Sequence, residues 1–401
     1  MNDIAGLLEK VEEASVVELL QSVLRIESTN PPGNELELAR WLADYFAQAG
    51  LHTEIVKREG NRANLIARLK GAQERPALVF SAHMDTVPAG EVPWVFPPFS
   101  GTLHDGKVYG RGAADMKGGL AALAEAAVIL ARSGVSLDGD LIIAFTYDET
   151  HGLQGAKQIL EGGYLEGAGA VLVAEPSTLD VLIAEKGALW LRCQAKGKTA
   201  HTSMPHLGEN AILEMVHFLS RVEESLDLRV EAHPLLGEPT FTVGTIQGGV
   251  TINVIPDTCE AQLDIRLLPG MDHQTVAEQV RELGGDRVEV TLIDWKAPVE
   301  TRPDSQIVSV SLEAVEEITG IHREPMGVSY FTDGSVIANA LDIPMVIIGP
   351  ADTGMTHQPN EYVEVSRLVE AVRIYLAIAV RYLNPAKGNA HTTTRVISDM
   401  G

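Results

Sequence analysis

The sequence predicts an α/β protein: a mostly parallel sheet flanked by helices, interrupted by a smaller α+β unit of antiparallel strands. Three observations predict it. Short continuous apolar runs alternate with helical patterns, the way strands buried on both faces of a parallel sheet read. From about residue 181 to 299 the signals turn hairpin-like and flank two helical stretches. Beyond residue 303 the first pattern returns, so the larger unit is discontinuous. The expected division is 1–183 with 299–390 for the larger domain, 184–298 for the inserted one and a polar tail over 391–401.

Each element has its own reason. Residues 7–27 carry apolar side chains at near-helical spacing (Leu7, Leu8, Val11, Val16, Val17, Leu19, Leu20, Val23, Leu24), which predicts one or two amphipathic helices. The run Ser28–Asn34, with two prolines and a glycine, breaks them. A helix follows over about 35–49 and stops at Gly50. Leu65–Leu69, Pro76–Ala82, Asp140–Thr146 and Ala168–Ala174 read as strands, the last three as buried ones. Lys117–Ser133 has Ala and Leu on most faces and predicts a largely buried helix, with a short helix at 153–161. Within the inserted unit, helices are expected near 209–226 and 272–283. Helices at 306–319 and 365–383 and a strand at 343–348 complete the larger unit.

Composition narrows the function. Lys and Arg total 31 against 55 Asp and Glu, a net charge of −24. So acidic a surface repels phosphate backbones and anionic lipid, which argues against nucleic-acid and membrane partners. Two cysteines, Cys193 and Cys259, are too few for a disulfide scaffold or a cysteine-based zinc site and read as small core residues. No run of 18 or more apolar residues appears and the N-terminus lacks the pattern of a signal peptide, so the expectation is a cytoplasmic globular protein.

In open α/β sheets, ligands bind beyond the carboxyl ends of strands. Those ends carry His83 and Asp85, Asp148 and Glu149, and Glu175. The strand at 343–348 leads toward His357, and Asp115 precedes the buried helix. Mixed imidazole and carboxylate donors suit zinc or a similar divalent ion. Singly, an acid at a strand end is a cap or turn residue more often than a ligand. Their joint occurrence favours a metal site.

The residues that carry this pattern lie in eight segments: RIESTNPPGNE (25–35), SAHMDTVPAG (81–90), GRGAADMKGG (110–119), YDETHGLQGA (147–156), AEPS (174–177), GKTAHTSMPHLGENAI (197–212), TINVIPDTCEAQLDIR (251–266) and THQPNEYV (356–363). In this order they resemble the co-catalytic zinc amidohydrolases, the family of acetylornithine deacetylase, succinyl-diaminopimelate desuccinylase, aminoacylase and carboxypeptidase G. The resemblance implies two divalent ions, zinc by preference with cobalt or manganese as substitutes. It implies His83, Asp115, Glu149, Glu175 and His357 as metal ligands, Asp115 bridging, and Asp85 as the acid that orients His83. It further implies that His201, in the inserted domain, stabilises the oxyanion across a dimer interface. Asn253 and Arg266 would hold the substrate's polar groups, although a structural salt bridge is an equal reading of Arg266. The inserted domain would pair two subunits through a sheet edge supplied by 181–197 or 241–267.

The family motif at 147–150 is Asp-Glu-Glu, general base then ligand, whereas this chain has Tyr147-Asp148-Glu149-Thr150. Two registers fit. In the favoured one Asp148 is the base and Glu149 the ligand. In the other Glu149 is the base and Thr150 falls on the ligand position, where a neutral hydroxyl is a poor substitute for carboxylate and the second metal site is weak. The expected activity is hydrolysis of an amide in an N-acyl amino acid by metal-activated water. The alternatives are a dipeptidase or carboxypeptidase of the same family, or a non-catalytic dimeric binding module.

Overall fold

The computed structural model describes residues 4–384. Its larger sheet runs, edge to edge, His52–Lys57, Ala63–Leu69, Leu141–Thr146, Ala77–His83, Ala168–Val173, Met345–Ile347, Leu182–Glu185 and Val299–Glu300, with Met326–Val328 also paired to Leu182–Glu185. The four strands from Leu141–Thr146 to Met345–Ile347 are mutually parallel. The pairings outside these four strands are antiparallel except that of Met326–Val328 with Leu182–Glu185, which is parallel, so the sheet is mixed. Connection length explains the margin at His52–Lys57, which joins Ala63–Leu69 through a short turn, while parallel neighbours need a crossover.

Every residue of Ala77–His83 and Leu141–Thr146 is buried, as continuous apolar runs require. The helix Gly118–Ser133 is buried along nearly its whole length and packs against Val365–Leu383, which in turn packs on Gln306–Thr319. The expected N-terminal helix is two, Ile4–Leu8 and Glu13–Arg25. Gly119 and Gly349 bring backbone close to the strand end at Glu175. A Cβ on Gly119 would lie 2.0 Å from the Ala174 carbonyl oxygen, and one on Gly349 would lie 2.2 Å from that of Glu175.

The second sheet is wholly antiparallel, in the order Thr240–Gly248, Thr258–Leu267, Gly187–Lys196, Val288–Lys296. Alternate residues of Thr258–Leu267 (Cys259, Ala261, Leu263, Ile265, Leu267) are buried in a core shared with helices Ala211–Ser225 and His273–Gly284. Asn210 and Asp272 cap those helices by accepting from the amides two and three residues on. Cys193 and Cys259 are buried and unbridged in this core.

Two expectations need correction. Of the segments expected to supply a sheet edge, 241–267 does include one, Thr240–Gly248, but its second strand Thr258–Leu267 and the strand Gly187–Lys196 of 181–197 are central, each with a neighbour on both sides. The free edges are Thr240–Gly248, exposed on nearly every residue, and Val288–Lys296. The boundary expected at 183/184 falls inside the strand Leu182–Glu185, which belongs to the larger sheet. The tail at 391–401 lies outside the described residues.

Candidate active site

The cleft opens at the carboxyl ends of the parallel strands. It holds about 270 Å³ and is lined in part by Asp115, Glu149, Thr150, Glu175 and His357. His83 ends the strand Ala77–His83 and is almost wholly buried. Its Nδ1 lies 2.8 Å from the Asp85 backbone carbonyl, which fixes that nitrogen as the donor and turns Nε2 to the cleft. Nε2 lies 3.0 Å from Asp115 Oδ1, 3.4 Å from Glu175 Oε1 and 3.9 Å from Glu149 Oε2. His83, Asp115 and Glu175 each offer a ligand atom, all within 4.8 Å of one another. The other oxygen of Asp115, Oδ2, lies 3.0 Å from His357 Nε2, so this carboxylate reaches toward both histidines.

Burial and mutual repulsion make this a costly collection of charges. Burial, reinforced by the neighbouring Asp115, Asp333 and Asp85 charges, pushes the Glu175 carboxyl up to about 8. Burial pushes Glu149 well above the carboxylate range, with Glu175, Asp333 and Asp115 adding to it. Asp115 goes the other way: burial raises it, but hydrogen bonds from His357 and His83 outweigh that and hold it well below its ordinary value. A divalent cation relieves this repulsion. The donor set at His83, Asp115 and Glu175, one imidazole and two carboxylates, therefore fits a zinc-like ion.

Asp85 meets His83 mainly through its backbone, and its carboxylate has a further task. Its carboxylate is 3.7 Å from His83 Nδ1, and the backbone carbonyl makes the closer contact. The carboxylate instead accepts from the Glu149 amide at 3.1 Å, the Thr150 amide at 3.2 Å, the Thr150 hydroxyl at 2.8 Å and Asn30 at 3.0 Å. It fixes the loop that carries Glu149.

That loop bears on the two registers. Asp148 adopts φ 65° and points its carboxylate to Arg62, 2.9 Å away, and Asn30, 3.1 Å away. Arg62 is held in turn by buried Glu35 at 2.8 Å. The carboxylate favoured as base is thus occupied by a guanidinium and does not line the cleft, whereas Glu149 and Thr150 do. Two features act together: the left-handed backbone at Asp148, and Arg62, distant in sequence, which claims the carboxylate.

Arg266 lines the cleft wall. It also pairs with Asp264 through Nε and Nη2, both at 2.9 Å, so the structural salt bridge and the place beside the cleft are both real. His201 and Asn253 are not brought to the cleft of their own chain. His201 is exposed, contacts Ser203 at 2.8 Å and bridges to Val254, next to Asn253.

Several site residues escaped the sequence reading. Trp190, Tyr330 and Phe331 form an aromatic wall, with Arg266 stacked on Phe331 at 5.4 Å. Glu361 is fully buried; it accepts from the Ala114 amide at 2.8 Å, the Asp115 amide at 3.0 Å and Arg111 Nη1 at 2.5 Å. It thereby anchors the backbone that presents Asp115. Arg111 and Glu361 both lie inside quoted motifs, but nothing in the sequence signals their pairing.

Residues 79–381 match the family described as peptidase family M20/M25/M40. A probable succinyl-diaminopimelate desuccinylase of Staphylococcus epidermidis is 28% identical over 411 residues, covering 93% of this chain and 99% of the relative. An acetylornithine deacetylase of Pectobacterium carotovorum is 30% identical over 369 residues, covering 87% and 92%. Among solved structures, the M20 family metallo-carboxypeptidase Sso-CP2 of Sulfolobus solfataricus superposes with a TM-score of 0.80 at 19% identity, covering 91% of this chain and 98% of that one. The YXEP protein of Bacillus subtilis, a dinuclear metal-binding peptidase of the M20 family, gives 0.70 at 18% identity, covering 92% and 98%. Site and match agree, and the chain belongs to peptidase family M20/M25/M40.

Proposed function

We propose that this protein hydrolyses the amide bond of an N-acyl amino acid, with acetyl and succinyl derivatives as the leading substrates, as a homodimer in the cytoplasm. The observation that carries the reading is the convergence of His83, Asp115 and Glu175 beside Glu149 at the floor of one cleft. The similarity to a desuccinylase and a deacetylase over almost the whole chain supports the substrate class. Buried, unbridged cysteines fit a reducing compartment.

A divalent ion, zinc by preference, would be held by His83, Asp115 and Glu175 and would polarise the scissile carbonyl and acidify water. The chain's own residues do the rest. Glu149 takes a proton from the attacking water and returns it to the leaving nitrogen; the products are a carboxylate and an amine. Burial and the neighbouring carboxylates raise its proton affinity above that of an ordinary carboxylate, which favours taking the proton from water. Asp85 keeps Glu149 in place through the loop amides. Arg266 offers its remaining guanidinium edge to a substrate carboxylate, with Asp264 fixing its plane. His201 and Asn253 act on the cleft of a second copy, and the exposed strand Thr240–Gly248 is the edge through which two copies join.

A second reading, cleavage of a dipeptide with an apolar side chain, draws on the aromatic wall of Trp190, Tyr330 and Phe331. One experiment tests both. Chelator-stripped protein is assayed on N-acetyl, N-succinyl and N-formyl amino acids and on dipeptides, before and after zinc or cobalt is restored. Activity should vanish and return with metal. Full activity in stripped protein would sink the proposal.

A further inference from the structure

We infer that the cleft retains one divalent ion tightly, at His83, Asp115 and Glu175, and takes a second only loosely, at Asp115 Oδ2 and His357, because the third side chain there is Thr150. The inference rests on the metallohydrolase reading above. The tight position has three protein donors, two of them carboxylates, all converging. That is the number a hydrolytic zinc position needs. The second position starts from Asp115 Oδ2 and His357 Nε2, 3.0 Å apart, with His357 on a loop and more than half exposed. Among the described residues no third imidazole or carboxylate groups with these two as His83 and Glu175 do with Asp115. The ion-pair contact that Glu149 makes in the cleft is with His83, at 3.9 Å.

Thr150 does not fill the gap. A hydroxyl has one hydrogen and two lone pairs. Its hydrogen goes to Asp85 Oδ2 at 2.8 Å. Its oxygen faces Asn30 Nδ2 at 3.2 Å and His151 Nδ1 at 3.1 Å, and both can donate to it. With the hydroxyl so committed, coordination would break bonds that hold the Glu149 loop. A carboxylate at this position would instead add a negative charge and a free oxygen. The protein is therefore a family member with a two-donor second position, whose occupancy follows the free metal concentration while the first position stays filled.

The test counts metal rather than turnover. Full-length protein is loaded with zinc, dialysed against metal-free buffer and analysed for zinc per chain. Demetallated protein is then titrated with zinc in competition with a chromophoric chelator. One equivalent should be retained, and the second should bind about 100-fold or more weakly, at least the factor that loss of a supporting group costs a metal site. Thr150→Glu should draw the second step toward the first and raise the retained count to two. His357→Ala, a change on an exposed loop that leaves folding intact, should abolish the second step and leave the first unchanged. Two equivalents retained by the unaltered protein, or a first step weakened by His357→Ala, would overturn the inference and leave the metallohydrolase reading standing. No retained zinc at all would overturn both.

Discussion

Glu361 offers the sharpest test of how the site is held. It lies four residues beyond the exposed His357, yet its carboxylate is buried and makes three hydrogen bonds, two to the Ala114 and Asp115 amides and one to Arg111. Both members of the Arg111–Glu361 pair are nearly inaccessible, at 3% and 1% side-chain exposure. In Glu361→Gln the amide oxygen can keep the two backbone donors, but its NH2 then faces the guanidinium, donor against donor. Removing one partner from a buried pair costs about 3–5 kcal/mol, since the other charge is left uncompensated. Gln preserves two of three bonds, so the lower end applies, about 3 kcal/mol. Glu361→Ala also strands two buried amides, at about 1 kcal/mol each or more, for a total of about 5 kcal/mol. Because those amides position Asp115, metal affinity should fall about 10–100-fold in the Gln variant. Urea unfolding of demetallated protein, followed by tryptophan fluorescence, reads the first quantity, and zinc titration reads the second. Disrupting the exposed pair Arg302–Asp304 by Asp304→Asn is the control and should leave both unmoved. If Glu361→Gln stays within about 1 kcal/mol of the parent, or loses stability while binding zinc normally, the anchoring argument is wrong.

Other consequences can be checked more briefly. Glu149→Gln should keep the tightly bound zinc and lose about 10²–10⁴-fold in kcat, the range for a general base; loss of the metal instead would make Glu149 a ligand. Demetallated protein should lose stability as pH rises from 5 to 7. Glu175, pushed up to about 8, and Asp333, pushed up to about 7, bind protons when folded that the unfolded chain has already released, and His83 and His357, also raised, act with the same sign. Above pH 7 buried Lys117, pushed down to about 7, opposes the trend, because the unfolded chain then binds the extra proton. A melting temperature that climbs between pH 5 and 7 would contradict this. Mixing His201→Ala with Glu149→Gln protein should restore activity if His201 acts across a subunit interface, because one cleft in a mixed dimer then carries both intact groups. No recovery in verified mixed dimers would confine His201 to its own chain.

The central strands were legible because burial on both faces leaves no polar alternation, so Ala77–His83 and Leu141–Thr146 announce themselves as apolar runs. The same physics hid the margin. His52–Lys57 alternates between exposed and half-buried residues, and its sequence HTEIVK looks like loop. Three-residue strands such as Thr102–His104 and Lys107–Tyr109, joined by the distant Tyr362–Glu364, are created by pairing across the chain and have no local pattern to read. The helix Gly334–Leu341 was missed for lack of length. Which strands of the inserted sheet form its edges depends on strand order, and strand order is not local either.

The proposed ligands were easier to read than the proposed base beside them. His83 and Glu175 follow from one rule, that strand carboxyl ends point at the site, and the rule needs only the strand. The choice between Asp148 and Glu149 needs a direction of side chain in a loop, where no period exists. What bears on it is Arg62, 86 residues earlier, which claims the Asp148 carboxylate and is itself braced by Glu35. One guanidinium therefore weighs against the register that the motif alone favours. Charge reversal at that position makes the dependence testable. Arg62→Glu should expel Asp148 from its pocket and place a third acid against Glu35, so that the Glu149 loop loses its anchor. Arg62→Lys keeps the charge but not the two-armed geometry and should retain part of the activity. Equal activity in Arg62→Glu and the parent would mean that Asp148 is free of this clamp, and the first register would return.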